Sequence, residues 1–304
     1  MCRIFIAISA LLVLVATGLA VVLVPPHLQL RGITPSLPDD SELRSLLSVP
    51  KGPTQISTIR SSQQERDGGS FGHSSVVIEW ANGRNFVIDL AMDEAATIDF
   101  SELMAMMGND MTLEFNGSVA TQLGDTIARV DGVGFTHLHT DHVQGIAPFC
   151  AKRGTGASVV WTAWQSSEHN LHTVESAEQV KASCLAQTVL DGEGLLSVEG
   201  FPGLGVVGLG GHTPGSTLFV VPVGGTLWLM VGDTTNVKQN LLENRGKGLL
   251  YSGFLVPENT ARTEALRLWF ARLDNEPDMK VVVSHDLGAA AEAGLPAFPP
   301  QGFP

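Results

Sequence analysis

The longest uninterrupted pattern in the chain is apolar: residues 4–24 hold 21 positions without a charge, follow Arg3 and run up to Pro25-Pro26. A helix that spans a bilayer needs about 20 apolar residues, whereas a secretory signal carries a shorter run of roughly 7 to 15. Residues 1–25 are therefore expected to form an N-terminal membrane anchor helix. Cleavage as a signal, and hence secretion, is the alternative. Arg3 and the free amino terminus are the only positive charges close to their side of the span, which places the amino terminus in the cytoplasm and the remainder of the chain on the outer, extracytoplasmic or periplasmic side; Arg31 on the far side weakens that preference.

Beyond the anchor the pattern changes. Residues 26–70 carry Pro35, Pro38, Pro50 and Pro53 among Ser and other polar side chains, which discourages long helices and suggests a linker or stalk. One short helix is expected within it at 39–48, where Leu43, Leu46 and Leu47 follow Asp39-Asp40-Ser41-Glu42. Strand-like runs at 75–80 and 85–90 flank Asn82-Gly83 and predict a hairpin. A second hairpin is expected at 216–230, around Gly224-Gly225. The glycine-bearing apolar stretch 130–136 reads as a buried strand ending in a loop, and 280–283 as another strand. Between 259 and 273 Ala261, Ala265, Leu268, Trp269 and Leu273 recur at helical spacing, predicting an amphipathic helix; a second helix is expected at 173–186. The segment 71–290 then forms one α/β domain, and residues 291–304, rich in Ala, Gly and Pro, a tail without chemistry.

A formal charge of -13 and a pI near 5.0 argue against broad electrostatic contact with nucleic acid, which relies on Lys and Arg at phosphates. The three cysteines make no metal motif, and Cys2 lacks the preceding apolar stretch of a lipoprotein signal. Cys150 and Cys184 pair if the domain is exported, and are otherwise buried free thiols.

The chemistry concentrates in His137-Leu138-His139-Thr140-Asp141-His142, four metal-ligand side chains within six residues, with His212, Asp233 and His285 further along the chain. Imidazole nitrogen and carboxylate oxygen suit zinc and its first-row neighbours, manganese and iron included. In an extended or tightly turned segment residues two apart project to one side, so His137 and His139 are placed to grip one ion while Asp141 and His142 turn toward a second. Burying polar groups so densely would be costly without a compensating charge.

These motifs resemble those of the metallo-β-lactamase superfamily, in order: Asp89 in Phe86-Val87-Ile88-Asp89-Leu90, HxHxDH, His212 in Gly211-His212-Thr213-Pro214-Gly215-Ser216, Asp233 in Gly232-Asp233-Thr234, and His285 in Ser284-His285-Asp286. The resemblance implies a four-layer αββα sandwich and two zinc ions. It implies that His137, His139 and His212 hold the first metal, that Asp141, His142 and His285 hold the second, and that Asp233 bridges them. Asp89 would orient a ligand from behind. It further implies a hydrolase in which a hydroxide shared by the two metals attacks a small-molecule ester, lactone or thioester, with Asp141 orienting the hydroxide or taking its proton. Phosphodiesterase or β-lactamase activity, and a metal-binding sensory module without turnover, are the alternatives; the carboxylate of Asp233 disfavours β-lactamase. Tyr251, the only tyrosine, lies where several ester-cleaving relatives carry a substrate-contacting one. Lys238, Arg245 and Lys247 either bind an anionic substrate group or form a solvated charged loop. His169 and His172 match no ligand position and are expected at the surface, and His73 is left without a role.

Overall fold

Alternation along the strands decides how the chain layers. The computed structural model describes residues 2–66, 69–109 and 111–299. Its strands are β1 (Pro53–Arg66), β2 (Gly69–Trp80), β3 (Asn85–Ile88), β4 (Glu114–Phe115), β5 (Val130–Gly134), β6 (Ser158–Thr162), β7 (Ala186–Leu190), β8 (Leu196–Ser197), β9 (Gly205–Gly208), β10 (Thr217–Val223), β11 (Thr226–Met230) and β12 (Met279–Val282). They form a seven-stranded sheet in the order β4-β1-β2-β3-β5-β6-β7 and a five-stranded sheet in the order β12-β11-β10-β9-β8. Both are mixed: β3, β5, β6 and β7 run parallel, as do β11 and β12, and the other pairs are antiparallel.

On β3, Phe86 and Ile88 join one core cluster while Val87 joins another; on β10, Phe219 and Val221 face the first cluster while Leu218 and Val220 face a third. The period of two thus gives each sheet two buried faces. Phe86, Phe201, Phe219 and Trp228 fill the space between the sheets. Outside the small sheet, Leu266, Phe270 and Leu273 of the helix Thr260–Asp274 cover Leu227 and Leu229; outside the large sheet, Phe149 and Val180 of the helices Ile146–Arg153 and Val174–Lys181 cover Val133 and Val159. The result is the expected αββα sandwich. Gly132 and Gly134 let the phenyl rings approach β5, since a Cβ on Gly134 would lie 2.4 Å from Phe219 Cζ and one on Gly132 2.5 Å from Phe86 Cδ2.

Both hairpins form, with Val77 opposite Val87 and Val221 opposite Trp228. The helix from 260 buries a different stripe from the one expected: Thr263, Leu266, Arg267, Phe270 and Leu273 are buried, whereas Ala261, Ala265 and Leu268 are exposed. A set of alanines and one leucine gave way to the larger Leu266 and Phe270, which bury more apolar area. The helix expected at 173–186 stops at Lys181, because Ala186–Leu190 pairs with β6 instead.

The stretch 26–70 is not a free stalk. The N-terminal helix Cys2–Leu30 continues through Pro25 and Pro26, and Leu30, Ile33, Leu43 and Leu46 are buried. Arg44 binds Asp278 (2.8 Å) and Glu276 (2.6 Å), and Arg272 binds Asp40 through both carboxylate oxygens at 2.7 Å. The expected short helix is there, Asp40–Ser45, with Asp39 and Glu42 closing a reciprocal cap. Residues 53–66 then form β1, the longest strand, so prolines at 50 and 53 mark a strand entry rather than a linker. The tail also takes part, since Leu295 is buried and Phe298 N–H donates to Thr58 O at 2.9 Å; Pro300 and the residues after it lie outside the described residues.

Cys150 and Cys184 are bonded, tying the end of one outer helix to the turn before β7. The bridge closes a loop of separation 34. Chain-entropy arguments assign such a loop about 4 kcal/mol. The double variant Cys150→Ala, Cys184→Ala is expected to lose about 2 to 4 kcal/mol of unfolding free energy by urea titration; an unchanged midpoint would show that the bridge contributes nothing.

Candidate metal centre

Each candidate ligand sits in a loop at one edge of the two sheets. His137–His142 follow β5, His212 follows β9, Asp233 follows β11 and His285 follows β12. Strands that stop at one level deliver their next residues to one place. Hydrogen bonds then fix that delivery. Asp89, after β3, adopts φ +60, a left-handed conformation that aspartate tolerates. Its carboxylate accepts from Thr136 N–H (2.7 Å), Thr136 Oγ1–H (2.8 Å) and His142 Nδ1 (2.9 Å), pinning the start of the histidine loop.

His137 Nε2 and His212 Nε2 lie 3.1 and 3.2 Å from His139 Nδ1. Three imidazole nitrogens at that spacing point at a common centre. Tetrahedral ligands about 2.05 Å from zinc stand about 3.3 Å apart, so the spacing fits a cation. Asp141 Oδ2 lies 3.4 Å from His285 Nε2, 3.6 Å from His142 Nε2 and 3.4 Å from His73 Nε2. Asp233 reaches both groups: Oδ2 is 3.1 Å from His285 Nε2 and 3.8 Å from His212 Nε2, while Oδ1 is 3.6 Å from His142 Nε2. Facing inward, His142 Nε2 and Asp233 Oδ1 are buried without a hydrogen-bond partner among the described residues. Orphaned atoms of this kind are what a bound cation would satisfy. The donor set therefore fits two divalent metals.

The outer ring nitrogens are anchored. His212 Nδ1 lies 2.5 Å from Glu258 Oε1, His142 Nδ1 faces Asp89, and His285 Nδ1 donates to Gly72 O at 2.9 Å. A proton held on Nδ1 leaves the Nε2 lone pair facing inward, which is the state a metal needs. Burial drives His137 and His139 well below the ordinary imidazole value, and His212 below it, keeping them neutral. For His142 burial pushes the same way, but the charges of Asp141 and Asp89 outweigh it and lift the ring to about 10. Burial raises Asp141 and Asp233, yet the surrounding imidazoles, and Lys247 at Asp233, hold both well below the usual carboxylate range.

All seven residues expected as metal ligands meet here. Tyr251 comes close behind them: its ring packs 5.2 Å under Lys247 Nζ, and burial pushes its phenol up to about 12. Lys247 is buried rather than solvated, 3.4 Å from both His212 Nδ1 and Glu258 Oε1 and 3.7 Å from Asp233 Oδ2. Lys238 is spent elsewhere, on Asp274 (2.5 Å) and Val281 O (2.7 Å), and Arg245 pairs with Glu243 at the surface. His172 is half-buried with its ring 6.1 Å from that of His139, so it rims the site; His169 belongs to no ligand cluster among the described residues.

Two participants carried no usable sequence signal. Glu258 precedes the helix Thr260–Asp274 as an ordinary charged residue, yet it is buried against His212, with Ser252 Oγ donating to it at 2.5 Å. His73 lies inside β2, where alternation turns it inward; its Nδ1 is 2.9 Å from Ser62 Oγ, and with Asp141 and His285 it makes a third ligand cluster.

Residues 68–285 match the family model of the metallo-beta-lactamase superfamily. Among solved structures, an N-acyl homoserine lactone hydrolase with the product N-hexanoyl-L-homoserine at its catalytic metal center is 13% identical, with a TM-score of 0.58 over 82% of this chain and 98% of that one. A probable metal-dependent hydrolase from Staphylococcus aureus is 15% identical, with a TM-score of 0.53 over 77% of this chain and 90% of that one. A dizinc quorum-quenching lactonase in complex with a product is 13% identical, with a TM-score of 0.50 over 81% of this chain and 79% of that one. At these identities the likeness shows the fold. No curated protein matches the chain.

Because Asp89 and Glu258 hold rings from behind, Asp89→Asn and Glu258→Gln should each weaken metal affinity by about 10- to 100-fold in a chelator competition titration. His169→Ala should leave it unchanged. Equal affinity in all three variants would remove the orienting role.

Proposed function

Because the chain belongs to the metallo-beta-lactamase superfamily and is a metal-dependent hydrolase, we propose that it holds two zinc ions and cleaves an ester, lactone or thioester of a small molecule. His137, His139 and His212 would hold the first ion, Asp141, His142 and His285 the second, and Asp233 would serve both. The observation that carries this reading is the convergence of all seven donors, with buried, inward-facing orphaned atoms on His142 and Asp233. Lactone-hydrolysing proteins among the structural neighbours, one described as dizinc and two with an acyl-homoserine product bound, support the substrate class.

Divalent cations bound here supply Lewis acidity: they acidify water toward hydroxide near neutral pH and polarise a carbonyl. The protein does the rest. Asp141 stays ionised and sits between His73 and His285, so it is the group that orients the attacking water and takes its proton. Tyr251 stays protonated, because burial raises its phenol, and its O–H is available to donate to the substrate carbonyl oxygen. Lys247 adds a fixed positive charge beside Asp233 and Glu258, which favours the negative charge that develops on acyl transfer. The disulfide suits an oxidising compartment, so we place the catalytic domain on the outer side of the membrane, anchored by the helix Cys2–Leu30.

Metal analysis of the purified full-length protein, with initial rates on a lactone, a thioester, a phosphodiester and a chromogenic β-lactam, tests the reading. Two metals per chain and preferential cleavage of the lactone or thioester are expected; preference for the phosphodiester or β-lactam would overturn the substrate class, and metal loading without any turnover would leave a binding module. Asp141→Asn should lower kcat by at least about 100-fold, and Tyr251→Phe by about tenfold with KM little changed. Unchanged kinetics in either variant removes that residue from the mechanism.

A further inference from the structure

The segment beside the metal centre is apolar on its outer side. Leu249 is 81% exposed, Leu250 69% and Phe254 51%, while Tyr251, between them, turns inward over Lys247. Leu171, 59% exposed, is next to His172, whose ring is 6.1 Å from that of His139. Scattered apolar residues on a surface need no explanation, but a group of them in the segments that flank a site marks an interaction surface.

The N-terminal helix shows what covers it. His27 Nε2 lies 3.1 Å from Gly253 O, so the last turns of that helix are tied to the very segment that carries the exposed leucines. Residues 4–24 span about 31 Å as a helix, the thickness of the hydrocarbon layer. His27, three residues further, then stands about 4.5 Å beyond its edge, within a headgroup layer about 5 to 8 Å deep. Leu30 and Ile33 are already buried in the protein, so the bilayer surface crosses the helix just before them. Between this helix and the start of the helix Thr260–Asp274 lies an open cavity of 360 Å³, lined by Leu23, Val24, Leu28 and, on its inner side, Glu258. Glu258 is the carboxylate that holds His212.

We propose that the face bearing Leu249, Leu250, Phe254 and Leu171 lies in the headgroup layer of a lipid bilayer, so that the site opens at the membrane surface and takes an ester or lactone whose long acyl chain partitions into the lipid. The substrate part rests on the hydrolase reading above; the docking part does not. A net charge of -13 disfavours an anionic surface, so a neutral lipid is the apt partner.

Full-length protein in phosphatidylcholine nanodiscs, with Cys2→Ser and a nitroxide at Leu250→Cys or, separately, Phe254→Cys, tests the docking. Relative accessibility to oxygen and to a water-soluble nickel chelate is read by power saturation. Both positions should resemble a nitroxide at Val15→Cys, inside the span, or lie between it and one at exposed Glu168→Cys. Accessibility matching that of residue 168 at both positions overturns the docking. For the substrate, the triple variant Leu249→Asp, Leu250→Asp, Phe254→Asp should slow cleavage of a long-chain acyl ester held in the nanodisc by about tenfold or more, while a short-chain soluble ester changes less than about twofold. Parallel loss on both esters, or no loss on either, overturns the lipophilic substrate. A parent protein that cleaves neither ester overturns the hydrolase reading, and the nitroxide measurement still decides the docking.

Discussion

Lone pairs that face one another across about three ångströms, away from water, are what the rest of this structure has to support. His137 Nε2, His139 Nδ1 and His212 Nε2 sit within 3.1 to 3.2 Å along their chain of contacts, and burial keeps the rings from satisfying one another by protonation. Left alone, such a cluster would cost several kcal/mol in unpaired polar groups. It survives folding because the outer nitrogens of His142, His212, His285 and His137 are held by Asp89, Glu258, Gly72 and Thr136, while His139 Nε2 has no partner among the described residues. The cost is concentrated on the inward atoms, where a cation removes it.

Rigidity behind the loops follows from the same demand. A site whose ligands repel one another when empty must not spread, and the two-sheet core resists spreading by filling its interior with Phe86, Phe201 and Phe219 packed at 5 to 6 Å between ring centres. Gly132 and Gly134 are part of this device: an added methyl would meet phenyl carbons at 2.4 to 2.5 Å, and overpacking of that kind costs about 1 to 3 kcal/mol. The strand that carries the histidine loop is thus held by rings that only glycine admits.

The ligand array was legible in the sequence because metal binding needs particular residue types at short spacings, and four of the seven donors fall within six residues. The hairpins were legible because Asn-Gly and Gly-Gly set turns that local pattern reveals. What escaped depended on tertiary packing. Residues 26–70 read as a stalk since prolines and serines resemble a linker, yet Leu43 and Leu46 find partners on β9 and β10, far along the chain. In the helix Thr260–Asp274 helical spacing pointed to Ala261, Ala265 and Leu268, and packing on the small sheet selects Leu266 and Phe270 instead. Glu258 and His73 are single residues without a motif, so their roles appear only when the strands bring them against His212 and Asp141.

Lys247 shows how charge, rather than geometry, couples the centre to its chemistry. Four buried or nearly buried carboxylates, Asp89, Asp141, Asp233 and Glu258, surround one ammonium and a set of imidazoles. The four carboxylates outnumber the one ammonium by three, and, against burial, the same excess of negative charge lifts His142 to about 10. Lys247 offsets one of those charges from a position beside Asp233 and Glu258. The buried ammonium is a fixed positive charge at the centre, and negative charge developing on a substrate would be favoured where it is felt. Its position under the apolar rim matters as much, because Coulomb interactions strengthen as water is excluded. With the exposed leucines covered by lipid, they and the buried lysine would act in the same direction, one by removing solvent and the other by placing charge where its removal counts.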